Sequence, residues 1–129
     1  MTEEHDTRAV IVVDDNGDSA ESLAMLLQIY GHAVQTATTG SRALELAQPT
    51  PPDVFVIDLG MPRMDGLELA RRIRAEPWGG AVMLVAMTGW SRVEDPQPSI
   101  DAGFDYHLVK PPEPKLVEGL LTELTKRNA

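Results

Sequence analysis

Three carboxylates, a hydroxyl and an ammonium follow apolar runs in this sequence. Asp14 and Asp15 come after Ala9–Val13, Asp58 after Val54–Ile57, Thr88 after Ala81–Met87 and Lys110 after Tyr106–Val109. Short runs rich in Val and Ile read as strands buried on both faces of a parallel sheet. Polar groups just past the carboxyl ends of such strands sit where open α/β sheets bind ligands. Clustered carboxylates suit a hard divalent cation such as Mg²⁺, which takes oxygen ligands. A lysine ammonium is a point charge suited to a phosphoryl oxygen. The set therefore predicts one rim of a sheet built for a cation and a phosphoryl group.

Amphipathic helical patterns lie between these runs, so a β-α unit repeats five times. Asp18-Ser19-Ala20-Glu21 reads as the capped start of the first helix, with a stripe of Leu23, Leu26, Leu27 and Tyr30 and a stop at Gly31. Ala33–Ala37 is a second strand and Ser41–Gln48 a short second helix, ended by Pro49. Met64-Asp65-Gly66 leads into a third helix with Leu67, Leu69, Ala70 and Ile73 inward and Arg71, Arg72 and Arg74 outward. Pro96 and Pro98 restrict the fourth helix to under two turns, from Pro96 to about Ala102, with Asp95 as its cap. The last helix starts near Pro114 and carries Leu116, Leu120, Leu121 and Leu124 inward. Strict alternation with tight loops predicts a doubly wound parallel sheet with helices on both faces, in one domain.

Composition narrows the function. With 129 residues, 43% hydrophobic and 24% charged, the chain is an ordinary globular domain. Eleven basic against twenty acidic residues give a formal charge of -9, which opposes binding to nucleic acid or to an anionic membrane. Without cysteine there is neither a disulfide framework nor thiolate chemistry. His5, His32 and His107 lack metal-ligand spacing among themselves. No apolar run approaches the roughly 18 residues of a membrane span, and the start lacks a basic signal-peptide region, so a cytoplasmic location is expected. Residues 1–7 read as a flexible acidic tail ahead of a domain at 8–127.

Over nearly its whole length the chain resembles the receiver domain of two-component response regulators. The resemblance rests on Asp14-Asp15, then Asp58 followed by Met61-Pro62-x-Met64-Asp65-Gly66, Met87-Thr88-Gly89, Ala102-Gly103-Phe104-Asp105 and Lys110-Pro111, in that order and spacing. The wording around Thr88-Gly89-Trp90 and Gly103 to Pro111 is most similar to receivers attached to hybrid histidine kinases. The family implies a flavodoxin-like (βα)5 fold with strand order 2-1-3-4-5, which brings Asp14, Asp15 and Asp58 together.

The resemblance also implies roles. Asp58 is the phosphoryl acceptor, and Mg²⁺ (or Mn²⁺) is held directly by Asp15, Asp58 and the Gly60 carbonyl, with Asp14 acting through water. Thr88 donates its hydroxyl to a phosphoryl oxygen and Lys110 contacts another, while Pro111 aims the lysine inward through a cis bond. Receivers often carry Tyr or Phe three residues before the lysine, as a side chain that swings inward with the threonine. His107 holds that position here, smaller and titratable, and alternation sends Tyr106 to the opposite face. The implied partners are a histidine kinase or histidine phosphotransfer protein and a downstream protein target. The chain is expected to be a monomer or weak dimer with no turnover beyond its own phosphorylation and slow dephosphorylation.

Two other readings have identifiable signatures. An aspartate-nucleophile phosphohydrolase places Asp-x-Asp after the first strand, a spacing that Asp14-Asp15 lacks. A flavodoxin-like FMN protein places hydroxyls and glycines there, where Asp14 to Asp18 would repel phosphate. Within the receiver class, the Met1 start and charged end favour a free-standing regulator over a receiver excised from a hybrid kinase.

Overall fold

The computed structural model describes residues 8–61, 65–89, 97–110, 113, 115–119 and 121. The acidic tail, Pro62–Met64, Trp90, Asp95, Pro96, Pro111, Pro114, Leu120, Leu124 and the end of the domain at 127 lie outside these residues. Five strands, β1 (Ala9–Val13), β2 (Ala33–Ala37), β3 (Val54–Asp58), β4 (Met83–Gly89) and β5 (Tyr106–Lys110), alternate with four helices. The helices are α1 (Gly17–Ile29), α2 (Gly40–Ala47), α3 (Gly66–Ala75) and α4 (Gln97–Ala102). A further helical segment, α5, covers 115–119. All strand pairs are parallel and the sheet order is β2-β1-β3-β4-β5. This is the flavodoxin-like order expected above.

Strand alternation divides the core into two layers. On one face Val10, Val12, Val54, Val56, Val85 and Leu108 pack against Leu23 and Leu27 of α1, with Val117 and Leu121. On the other, Ile11, Val13, Phe55, Ile57, Leu84 and Ala86 meet α2, α3 and Ala102 of α4. β3 is buried at all five positions, which explains why its sequence is continuously apolar up to Asp58. Tyr106 packs with the first layer, opposite to the face that His107 occupies.

Several local expectations are corrected. Asp58, Thr88 and Lys110 are the last or nearly last residues of their strands rather than residues beyond them. Neighbouring strands extend the ladder, pairing Asp58 with Met87, Thr88 with Val109 and Gly89 with Lys110. β4 accordingly starts at Met83, two residues later than the apolar run. The cap of α1 is Asn16, whose side chain accepts from the Ser19 N–H, and Asp18 sits inside the first turn, favourably placed for the helix dipole. Leu26 and Leu116 face outward, at 36% and 55% exposure, and Val117 takes the inward position in α5. In α4 it is Ser99 and Ala102 that are buried, while Ile100 is exposed.

Arg74 departs most from its expected place on a solvated face. Its guanidinium donates to the carbonyls of Gly79 (2.7 Å), Val82 (2.8 Å) and Gly103 (2.6 Å) and to Asp105 Oδ2 (2.9 Å). Asp105 Oδ2 in turn accepts from the Leu84 N–H. One planar fork thus ties the end of α3 to the entrances of β4 and β5. Removing it strands several half-buried carbonyls. Arg74→Ala is expected to cost roughly 2–3 kcal/mol in denaturant unfolding, against under about 0.5 kcal/mol for Arg71→Ala on the exposed face.

Candidate functional site

The strand order reverses between β1 and β3, so the loops after these strands run to opposite faces and leave a crevice between them. Asp14 opens that crevice just past β1, its N–H held by the Ala37 carbonyl. Its side chain is almost wholly buried, and its Oδ1 accepts from the Asn16 N–H at 2.9 Å. Asp58 closes β3, also buried, with Oδ1 accepting from the Gly60 N–H at 2.9 Å. Asp15 is exposed at the mouth. Carboxylate oxygens of Asp14, Asp15 and Asp58 all lie within 4.8 Å of one another.

Lys110 completes the group. Its Nζ donates to Asp14 Oδ2 at 3.0 Å and to Asp58 Oδ2 at 3.3 Å. Alternation explains the meeting, because Lys110 shares a face of β5 with Leu108, in the layer that also contains Met87, the partner of Asp58. Gly66 lets this end of the fold close up. A Cβ there would lie 2.9 Å from both the Asp58 carbonyl and Leu59 Cα, so α3 starts against the backbone that carries Asp58. Asp65 caps α3 by accepting from the Glu68 N–H.

Thr88 belongs to the other face. Its hydroxyl is buried and lies 3.0 Å from His107 Nε2. The β4–β5 register sets His107 opposite Ala86, one step from Thr88 along the same face. The site residues expected from sequence thus form two groups toward the carboxyl end of the sheet: Asp14, Asp15, Asp58, Gly60 and Lys110 at the crevice, and Thr88 with His107 on the other face.

Sequence reasoning missed the wall of the crevice. A groove of about 490 Å³ runs from Asp14 and Lys110 along α1, past Asn16, Ser19, Ser22 and Leu26. The small polar residues at the start of α1 were legible as helix formers and cap, but their shared facing toward Lys110 depends on the β5 register.

Electrostatics follow from burial. Taking the Asp14 carboxylate out of water pushes its pKa above the ordinary 3.8. The Asn16 N–H and Lys110 oppose this rise, and the Asp58 charge adds to it. Burial also disfavours the Lys110 ammonium, but hydrogen bonds and charges from Asp14 and Asp58 outweigh that and raise its pKa above 10.5. Three carboxylates against one ammonium leave a negative excess. The donors are all oxygen, which fits a hard divalent cation.

The sequence matches the family model described as the response regulator receiver domain over residues 10–121. Fold and site thus define a signalling receiver, and the chain belongs to the response regulator receiver domain family. It is 37% identical over 105 residues to an uncharacterized 14.6 kDa protein of Leptolyngbya boryana, covering 81% of this chain and 80% of that protein. It is 37% identical over 102 residues to the response regulator MprA of Mycolicibacterium vanbaalenii, covering 79% of this chain but 43% of MprA. The chain therefore spans under half of that relative's length. Among solved structures it resembles the chemotaxis response regulator CheY4 of Vibrio cholerae, with a TM-score of 0.83 and 28% identity over 92% of this chain and 99% of that one. Membership implies signalling through phosphorylation. Among the described residues no helix is long and apolar enough to cross a membrane.

The raised Asp14 pKa has a signed consequence. In the cation-free domain the folded state holds this proton more tightly than the unfolded state, so ionising Asp14 lowers stability as pH rises from 3.8 through the raised value. Asp14→Asn should therefore be more stable than the parent in urea at neutral pH without divalent cations. That advantage should shrink as pH falls toward 3.8. Lys110 acts on the other arm: its stabilisation is present below 10.5 and is lost as pH rises through its raised pKa. A neutral-pH Asp14→Asn domain less stable than the parent would contradict this balance.

Proposed function

We infer that this receiver takes a phosphoryl group onto Asp58 from the phosphohistidine of a histidine kinase or histidine phosphotransfer protein. The observation that carries the reading is the convergence of Asp14, Asp58 and Lys110 in one hydrogen-bonded group at the reversal of strand order. A carboxylate oxygen of Asp58 attacks phosphorus. The P–N bond breaks, its electron pair stays on the donor imidazole, and an acyl phosphate forms. The Gly60 N–H holds Asp58 Oδ1 and fixes the carboxylate plane for attack.

Lys110 is already poised to contact a phosphoryl oxygen, since its 3.3 Å partner Asp58 Oδ2 is an atom of the group that becomes esterified or lies beside it. Thr88 sits at the rim with a hydroxyl able to donate to a second oxygen. Bound Mg²⁺ or Mn²⁺ supplies positive charge to neutralise the acceptor and the incoming phosphoryl group. Asp15, Asp58 and the Gly60 carbonyl would hold it directly, and Asp14 through water.

Hydrolysis of the acyl phosphate returns the chain to its resting state, and no other substrate is turned over. The signal leaves through protein contacts, by a change in the Thr88–His107 pair and the adjoining α4–β5 face. A formal charge of -9 favours a monomer or weak dimer in the cytoplasm and opposes nucleic-acid targets. A second reading, a receiver module of a longer protein, is favoured by the 43% coverage of MprA and leaves the chemistry unchanged.

Acetyl phosphate with Mg²⁺ should label Asp58 alone by peptide mass mapping, and Asp58→Asn should abolish the label. Label on any other residue would overturn the assignment. Asp15→Asn should weaken Mg²⁺ binding, read by titration, more than Asp14→Asn does. At Mg²⁺ concentrations near 100 times Kd the parent should gain about 2.7 kcal/mol of unfolding stability.

A further inference from the structure

The Thr88 hydroxyl has one proton to give, and the resting structure already places a partner 3.0 Å away at His107 Nε2. Two arrangements satisfy that contact. Either the hydroxyl donates to a bare Nε2, or Nε2 carries the proton and donates to the hydroxyl oxygen. Once Thr88 donates to a phosphoryl oxygen, only the second arrangement keeps the pair together. A bare Nε2 would then face only the lone pairs of Oγ1, which repel it. Thr88 is 5% exposed and His107 half-buried, so water has little access to the Thr88 hydroxyl to replace the imidazole as its partner.

We propose that His107 is a positioning residue that stays in contact with Thr88 in the phosphorylated state, donating Nε2–H to Oγ1 and so turning the hydroxyl proton toward the phosphoryl group. This rests on Asp58 being the acceptor, as inferred above. It replaces the inward swing of a large aromatic ring with a change of hydrogen-bond polarity at a fixed distance. His107 and Thr88 share one face of adjacent parallel strands, in register through Ala86–His107 and Thr88–Val109. The ring therefore needs no movement to serve both states. Ala86 belongs to the core layer that contains Ala102 of α4, so the polarity change occurs beside the six-residue α4.

The coupling is reciprocal. Whatever favours a proton on Nε2 favours the hydroxyl orientation that the phosphoryl group requires, and the phosphoryl group favours the proton on Nε2. A hydrophobic ring at position 107 fills the space and supplies no donor. Glutamine supplies an N–H at nearly the distance of Nε2 from the backbone.

The test uses imidazole ¹⁵N NMR on the whole chain at about pH 8, above the ordinary range of imidazole titration. Spectra are taken without and with the beryllofluoride complex and Mg²⁺, with the Asp58 carboxyl carbon followed in the same samples. The expected result is a shift at Asp58 together with a His107 Nε2 resonance of the protonated, proton-coupled type. A domain that responds at Asp58 while Nε2 is unprotonated overturns this inference alone. No response at Asp58 overturns the acceptor assignment and this inference with it.

His107→Phe should bind the complex about fivefold more weakly, as expected for one hydrogen bond, and His107→Gln should restore affinity to within about twofold. A Phe variant that binds as tightly as the parent, or a Gln variant as weak as Phe, overturns the donor role. The NMR result on the unsubstituted chain stands independently of how either variant folds.

Discussion

The repulsion among Asp14, Asp15 and Asp58, answered from within the chain by Lys110, is the constraint around which this end of the molecule is organised. Two of the three acids are buried, which makes their charges costly, and the Lys110 ammonium is drawn between Asp14 and Asp58. Three segments distant in sequence must be held in register for that to happen. β1 leads to Asp14 and Asp15, the fully buried β3 with the tight start of α3 at Gly66 fixes Asp58, and the end of β5 brings in Lys110. Buried ion pairs of this kind are weak contributors to stability on their own. The cost of holding this group together is met by the apolar layers on either side of the sheet.

Those layers also keep two functions apart. Residues that alternate toward α1 and α5 carry the acids and the lysine, and residues that alternate toward α3 and α4 carry Thr88 and His107. Thr88 lies near the end of β4 beside Met87, so the two groups lie on opposite faces of adjoining residues at the carboxyl end of the sheet. Arg74 anchors the opposite end of β4 and β5 through carbonyls and Asp105, so the entrances of these strands are pinned at the end away from Thr88 and Lys110.

Much of this was legible in the sequence because parallel strands buried on both faces have a simple signature. The apolar runs gave β1, β2 and β3 to within a residue, and the acids and the lysine that follow such runs meet in space as expected. What was hidden depended on neighbours. Thr88 and Lys110 lie inside their strands because the β4–β5 pairing continues past the apolar residues, which no local pattern announces. Arg74 looked like its solvated neighbours Arg71 and Arg72, and only the close return of Gly79 and Gly103 turns it inward. Asp18 and Asn16 are both good caps, and the choice between them was set by where the chain leaves β1. The Thr88–His107 hydrogen bond required the register of two strands separated by α4.

Lys110 takes up, with its own charge, attraction from Asp14 and Asp58 that would otherwise be open to a divalent cation. Calorimetric titration of Mg²⁺ into the parent and Lys110→Met tests it most directly. Removing a positive charge this close to Asp14 and Asp58 should tighten Mg²⁺ binding by about tenfold, or about 1.4 kcal/mol. Equal or weaker binding by the Lys110→Met domain would contradict the account.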